Sequence, residues 1–483
     1  MFLGLDFGTS SVKGLLIDEN QSVIGSASAA LTVDRPHLSW SEQAPDDWWT
    51  ASLDVLDDLA AYHPSQMAAV KAIGLSGQMH GATLLGADDR PLRPCILWND
   101  TRSAAQCGEL EAREPQFLTL GGNRVMPGFT APKLQWVREN EPGIFEQISK
   151  VLLPKDYIRL KLTGDHVSDM SDSAGTLWLD VAKREWSAPL LAATGLDRNQ
   201  MPRLVEGSEA SGEVRTDLCQ RYGWAKPPII AGGAGDNAAS ACGIGALPSG
   251  AGFVSLGTSG VVFVATERFQ PNTKSAVHAF CHAVPNTWHQ MGVILSAADS
   301  LNWLAHLLGA EPAEMVKALD AIKSPSQVAF LPYLGGERTP HNDANIRGSF
   351  AGLSHATGQN DLTQAVLEGV AYALRDCLDA LTSAGSTVDG LTAVGGGSRS
   401  DVWLQALATI LKVPIFRPSE GDFGASLGAA RLAMAAESGS TNGIFSAPPT
   451  SRIFEPEVTQ VAAYDEAYHR WRALYPALKQ VGY

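Results

Sequence analysis

Short apolar runs, each closed by a glycine- or hydroxyl-rich turn, set the pattern of this chain. Phe2, Leu3 and Leu5 predict a buried strand that enters the turn Asp6-Phe7-Gly8-Thr9-Ser10-Ser11, and a second apolar run, Val12 to Ile17, leaves it. That is the signature of a β-hairpin with a Gly/Thr/Ser tip. VSLGTSGVVFVA, Val254 to Ala265, repeats the pattern about half a chain later, with Leu256-Gly257-Thr258-Ser259-Gly260 as its tip. Duplication on this scale predicts two similar lobes facing a shared cleft, 1–242 and 243–483. Ser255 stands in the second copy where Asp6 stands in the first, so only the first lobe keeps the carboxylate.

Further along, Val23–Ala29 and Val70–Leu75 predict strands, and a helix starts at Pro45, with Trp48 and Trp49 read as packing residues. Ile96–Arg102 predicts a strand ending in Asn99, Asp100 and Arg102. Pro132 starts a helix, and Val151–Gly164 reads as strand, turn and short helix. Asp169–Asp180, polar and small, is expected to be a loop lining the cleft. Ile229–Ala231 reads as a buried strand, followed by a glycine turn and a small-residue helix, Asp236–Cys242. In the second half, Leu331–Asp343 is a Gly/Pro-broken loop. The stripe Leu362, Val366, Val370, Leu374, Leu378, Leu381 predicts one long amphipathic helix. Leu391–Val394 feeds Gly395–Ser398, and Ser400 caps a helix to about Leu411. Ser419–Ala433 predicts a last small-residue helix, and Val461–Leu478 a terminal one. With strands and helices mixed along both halves, the fold class is α/β.

Each hairpin tip brings backbone N–H and hydroxyl donors toward an anion, and Gly8 permits close approach of a ligand. A carboxylate at that edge, Asp6, faces phosphate sensibly only with a divalent cation between them. An ordinary turn with local Asp and Ser bonds has the same local sequence, but the repeat favours the ligand reading. Two lobes with paired hairpins of this kind resemble the sugar kinase, heat-shock chaperone and actin superfamily. The resemblance implies the actin-like ATPase (ribonuclease H-like) type of fold, with ATP in the cleft.

SGQMHG, Ser76 to Gly81, combines two hydrogen-bonding side chains, Gln78 and His80, with the apolar Met79, a mixture suited to a polyol. A structural histidine bonded to a carbonyl is the plainer reading of His80. Asp236, beside Asn237 at a helix start, is either an N-cap or a general base. Its position just before the second hairpin favours the base. Gly395-Gly396-Gly397 between a strand and a helix N-terminus makes a nucleotide platform.

The balance of 36 basic and 51 acidic residues, net −15, argues against a nucleic-acid or anionic-membrane surface. A phosphate site must therefore build its own positive field from N–H groups, helix ends and a metal. Six scattered cysteines without a CxxC fit a reduced, cytoplasmic protein. No apolar run approaches membrane-span length.

Gly128-Phe129-Thr130 through Lys133, Trp136 and Asn140 is similar to the first long pattern of the FGGY carbohydrate kinases. Gly348–Leu353 followed by Asp361-Leu362, Ala365 and Glu368 is similar to the second. The chain resembles that family along nearly its whole length. SGQMHGATLL and ILWND.R look like the versions that go with D-xylulose, whereas glycerol kinases carry different residues there. The resemblance implies Asp236 as general base, with Met79, His80, Gln78 and Asn237 holding the sugar. It implies Asp6 acting on Mg²⁺, and Gly8, Thr9, Ser10, Gly257 and Thr258 cradling the phosphates. Gly396, Gly397 and Asp401 would border the adenosine. D-ribulose, L-xylulose, glycerol and gluconate are the alternative acceptors. An actin-like nucleotide switch and an idle sugar sensor are the alternatives outside catalysis. A small-molecule sugar is the expected partner, no nucleic acid or membrane is, and a homodimer is compatible with this reading.

Overall fold

Two seven-stranded sheets, one in each half of the chain, carry the architecture of the computed structural model, which describes residues 1–319, 321–322, 324–419 and 424–482. The first sheet contains β1 (Phe2–Phe7), β2 (Ser11–Ile17), β3 (Val23–Ala30), β4 (Ala72–Gly77), β5 (Ala210–Glu213), β6 (Ile229–Ala231) and β7 (Ala234–Gly235). β1 is antiparallel to β2 and parallel to β4, and β6 and β7 extend the sheet along the other edge of β4. The second sheet contains β8 (Ala251–Leu256), β9 (Gly260–Thr266), β10 (His278–Cys281), β11 (Trp288–Ile294), β12 (Gly390–Val394), β13 (Ile415–Pro418) and β14 (Thr450–Phe454). There β8 is antiparallel to β9 and parallel to β12, the same arrangement as β1 with β2 and β4.

The duplication holds to the residue through the first strand and its parallel neighbour, and the second tip is one residue shorter, since Phe7 pairs with Val12 but Leu256 with Gly260. Asp6 pairs with Lys13 on one side and Ser76 on the other, and Ser255 pairs with Val261 and Val394. Both hairpins form because uninterrupted apolar strands flank a tip whose small residues make a tight return, with Gly8 N–H donating to the Ser11 carbonyl.

Seven helices matter for the site: α1 (Pro45–Tyr62), α2 (Thr130–Asn140), α3 (Pro154–Thr163), α4 (Asp236–Ile244), α5 (Gln359–Ser383), α6 (Asp401–Leu411) and α7 (Gly424–Ser438). α1 begins with proline in its first turn and acids at Asp46 and Asp47, and it buries Trp48, Val55, Leu56 and Leu59. Val366, Val370, Leu374 and Leu381 of α5 belong to the large core of the second half. α7, from the second half, lies on the first sheet and on α4. Its approach is close: a Cβ on Gly428 would sit 1.7 Å from the Ala239 carbonyl, and one on Gly74 would sit 1.8 Å from that of Ala429. The small residues of α4 and α7 are thus an inter-lobe packing device. Residues 420–423, part of the stretch read as this last helix, lie outside the described residues.

Three expectations are corrected. Ile96–Arg102 is not a strand of the main sheet: only Cys95–Ile96 is extended, paired with Glu42–Gln43. Asp169–Asp180 is not an open loop but a buried short helix and turn, because its polar side chains are consumed by internal bonds described below. The terminal helix is broken at Ala473 into Val458–Arg472 and Leu474–Gln480. All six cysteines are buried and free. Among the described residues no helix is long and apolar enough to cross a membrane.

Candidate active site between the lobes

The strand register decides where the two acids stand. Asp6 pairs with Ser76, and Ser76 pairs with Ala234, so Asp236 emerges beside Asp6 at the carboxyl edge of the first sheet. Ser76 Oγ donates to Asp6 Oδ1 at 3.0 Å. Burial raises the Asp6 carboxyl above its ordinary value, partly opposed by Ser76 and Lys13. Burial and then the neighbouring Asp6 push Asp236 up to about 6, against the pull of its bonds from Asn237. Asp236 does not cap α4. The cap position is Gly235, and among the described residues Asp236 Oδ1 accepts only from the N–H and Nδ2 of Asn237, at 2.7 and 2.9 Å. The preceding turn needs glycine at 233, where φ is +76° and a Cβ would meet the Leu75 carbonyl at 2.2 Å.

A buried ionic network holds this turn. Lys155 Nζ lies 2.6 Å from Asp156, 2.7 Å from Asp169 and 3.1 Å from Asp172, all four side chains being fully buried. Arg159 donates to the carbonyls of Ala231 and Gly232. Asp169 accepts from Ser171 Oγ, which in turn accepts from the Gly235 N–H at 3.2 Å. The stretch 169–173 therefore positions Asp236 from behind instead of lining the cleft.

Met79, His80, Asp236 and Asn237 converge on a cavity of about 270 Å³, to which Trp98 and Arg338 also contribute. His80 has φ +69°, and its ring Nδ1 lies 2.7 Å from the Gly175 carbonyl, so Nδ1 carries the hydrogen and Nε2 is left as an acceptor. Burial drives its pKa down to about 3, which keeps the ring neutral. The His80 carbonyl accepts from Lys133 Nζ at 2.9 Å and Thr130 Oγ1 at 3.1 Å. Lys133, whose burial lowers it to about 7, also donates to the Gly128 carbonyl. The plain reading of His80, a carbonyl-bonded ring, holds at Nδ1, and Nε2 remains available to a ligand.

Gln78 is not brought to this cavity. It is 2 % exposed, with Oε1 accepting from Thr9 and Nε2 donating to Gln43. It braces the first hairpin, because an amide in a dry core must satisfy both ends. Asp100 and Arg102 pair with each other, and Arg102 reaches Glu42 and stacks on Trp40, so this polar cluster is structural. Trp98, beside them, is the residue that faces the cavity, with its indole donating to Thr9 Oγ1.

A second cavity, of about 450 Å³, is lined by Gly395, Ser398, Arg399, Arg417 and residues of α4 and α7. Ser255 lines both cavities and Ser259 the smaller one, so the second hairpin stands where the two meet. Gly257 and Thr258 accept from the amides of Ala298 and Ala297 at the start of the helix Ala298–Leu308, which fixes the second tip. Gly396 and Gly397 open the turn that carries Ser398 and Arg399. Asp401 is not on this wall. It is bonded to Arg417 and Arg452, so it touches the cavity only through Arg417. Arg399 and Arg417 supply positive charge that sequence reading missed: Arg399 ends the glycine turn, and Arg417 comes from the separate strand β13.

The N-terminal domain profile of the FGGY family of carbohydrate kinases matches residues 1–243, and the C-terminal profile matches 252–437. The chain belongs to the FGGY family of carbohydrate kinases. It is similar to the xylulose kinase of Escherichia coli (strain K12), 49% identical and covering 99% of both chains. It is 46% identical to that of Klebsiella pneumoniae, again covering 99% of both. A crystal structure described as a xyloylose kinase from Brucella ovis superposes with a TM-score of 0.98 at 59% identity, over 99% of each chain. The first family pattern now has a physical meaning: Gly128, Thr130 and Lys133 are the residues that lock the left-handed His80. The second pattern builds the core behind the other lobe, where Glu368 accepts from Ser326 N–H and Tyr464 OH.

Proposed function

We propose that this kinase transfers the γ-phosphoryl group of ATP to the terminal hydroxyl of D-xylulose, working as two lobes, 1–242 and 243–483. What carries this reading is the junction of the two cavities at the second hairpin, with the Asp236 carboxylate, of raised pKa, lining the smaller one. Phosphoryl transfer is mainly positioning and charge neutralisation, and the site supplies those parts. Asp236 accepts the proton of the attacking hydroxyl. Asn237 holds one of its oxygens and leaves the other free for substrate. His80 Nε2 accepts from a sugar hydroxyl, and Met79 covers the carbon chain. Backbone donors at Thr9, Ser10, Gly257 and Thr258 face the phosphates, and Gly8, whose own N–H closes the tip on the Ser11 carbonyl, permits their close approach. The Thr9 hydroxyl is committed to Gln78, so its contribution is the backbone. Gly396 and Gly397 border the adenosine by forming the turn that presents Ser398 and Arg399, and Arg417 lines the same cavity.

Mg²⁺ fits one residue here. Asp6 Oδ1 is engaged by Ser76 and Oδ2 takes no protein donor among the described residues, which suits a hard cation shared with phosphate oxygens. When bound, the ion neutralises phosphate charge. No group of three His, Cys, Asp or Glu side chains gathers among the described residues, so the protein offers one ligand and no cage. Asp6→Ala is expected to lower turnover about 10- to 100-fold and to shift the Mg²⁺ titration of nucleotide binding to higher concentration, with an unchanged melting temperature. Near-normal activity would return Asp6 to a turn-forming role.

The acceptor is tested by ADP release across D-xylulose, D-ribulose, L-xylulose, glycerol and gluconate. D-xylulose is expected to give the highest kcat/KM. A preference for glycerol or gluconate would overturn the acceptor and leave the kinase chemistry intact.

A further inference from the structure

The loop 331–343 reads in sequence only as Gly/Pro-broken chain, yet it delivers a guanidinium to the sugar cavity. Arg338 lines that cavity opposite in charge to Asp236, and the two come from different lobes. No carboxylate pairs with the Arg338 guanidinium among the described residues. Its one side-chain bond there is to His278 Nε2 at 3.4 Å. The adjacent Glu337 does not neutralise it directly, since Glu337 Oε1 accepts from the amides of Leu295 and Arg338, and burial pushes Glu337 up to about 8.

A chain of bonds sets the direction of that guanidinium. Asn123 Nδ2 donates to the carbonyls of Gly121 and Ala279, and Asn123 Oδ1 accepts from the Ala279 N–H, so the amide has one orientation. The His278 Nδ1 at 3.1 Å from Oδ1 must then carry the hydrogen. That leaves His278 Nε2 as an acceptor, and only a donor can meet it. The His278 ring is fixed as well, stacked on Phe280 at 5.6 Å and 9°. Nη1 of the guanidinium is thus anchored in a residue that lines the cavity, and its other N–H groups have no side-chain acceptor among the described residues.

We propose that Arg338, held by the Asn123–His278 relay, is the specificity residue that reads the carbonyl oxygen of an open-chain ketose. The inference rests on the sugar kinase reading above. A guanidinium only donates, and a ketone oxygen only accepts, whereas every other oxygen of the substrate is a hydroxyl that does both. Asp236, when ionised, only accepts, so it takes the hydroxyl to be phosphorylated. Donor at one place and acceptor at the other give the chain a single direction. An anionic group on the substrate would meet the Asp236 carboxylate in the same small cavity, so a neutral ketose fits better than an aldonate. Sites that hydrogen-bond a substrate group discriminate strongly against analogues lacking it, because their own polar groups are then left unpaired.

The test compares D-xylulose with xylitol, the same five-carbon chain without the carbonyl, in ADP release by the parent, Arg338→Met and His278→Phe. Arg338→Met is expected to lose at least ~10²-fold in kcat/KM on D-xylulose and only a few-fold on xylitol, collapsing the ratio between them. His278→Phe keeps the stacked ring and the guanidinium but removes the anchoring acceptor, and it is expected to shrink the same ratio about tenfold. The second variant decides the matter if the first does not fold. Parallel losses on both sugars, or an unchanged ratio, would overturn the role of Arg338. Gluconate used better than D-xylulose by the parent, and lost in Arg338→Met, would make Arg338 a carboxylate receptor and overturn the ketose assignment. A parent that prefers glycerol would defeat the acceptor reading itself, which is a separate outcome.

Discussion

Asp236→Asn is expected to fold normally, bind sugar, and turn over at least ~10²-fold more slowly than the parent, since general-base removal costs about 10²–10⁴ in rate. Helix capping cannot account for such a loss, because Asp236 makes no capping bond and Gly235 occupies the cap position. The pH dependence has a definite sign. Burial and Asp6 raise Asp236 to about 6, so the unprotonated base accumulates as pH rises through that value. kcat/KM of the parent should rise with a limb near pH 6, and the limb should vanish in Asp236→Asn. Stability runs the other way. The folded protein binds the Asp236 proton more tightly than the unfolded chain, so this residue favours folding below about pH 4. That contribution is lost as pH rises through about 6. At pH 8 the variant should therefore melt at the parent temperature or above it. A folded variant with parental turnover would remove Asp236 from the chemistry.

Lys155→Met is expected to cost about 3–5 kcal/mol of stability, the usual result of removing one partner from a buried ionic group. Three fully buried aspartates surround this ammonium. Burial alone would lower the Lys155 pKa, and Asp156, Asp169 and Asp172 together reverse that and raise it. Burial also raises Asp172 well above its ordinary value, with Asp169 and Asp156 adding to the rise and Lys155 opposing it. The protonated form of Asp172 is thereby favoured relative to a free carboxyl. Two controls separate charge from packing. Lys155→Arg should recover part of the loss, and Asp172→Asn, close in shape to the protonated acid, should change stability by less than about 1 kcal/mol. Urea denaturation measures all three. A parental midpoint for Lys155→Met would show that the network contributes nothing. Because Arg159 and Ser171 of this network bond the turn before Asp236, partial activity loss in the folded fraction is expected as well.

Much of this molecule was legible in its sequence where the information is local. The two hairpins, the strand before Asp236, α1, α5 and α6 follow from apolar periodicity, proline and glycine placement, and a Ser400 cap that does accept from the Trp403 N–H. The repeat at residue resolution, Asp6 against Ser255, was also readable, because duplication preserves spacing. These signals depend on neighbours within one or two turns of chain, which is the range over which backbone propensity and side-chain period act.

Tertiary structure alone decided which polar residues serve the cavity. Gln78 and Asp401 carry the right chemistry in the right motifs, but their hydrogen-bonding capacity is taken up by Gln43 and Thr9, and by Arg417 and Arg452. Trp98 and Arg338 sit in stretches read as a strand end and a broken loop, and they reach the cavity because distant elements bring them there. Lys155, Asp169 and Asp172 read as turn and loop polar residues, yet they are buried because they satisfy one another across 17 positions of chain. A side chain's type fixes what it can bond, whereas its role depends on which partners folding leaves unsatisfied. Sequence spacing does not encode those long-range pairings, so the chemistry of the site was readable and its exact membership was not.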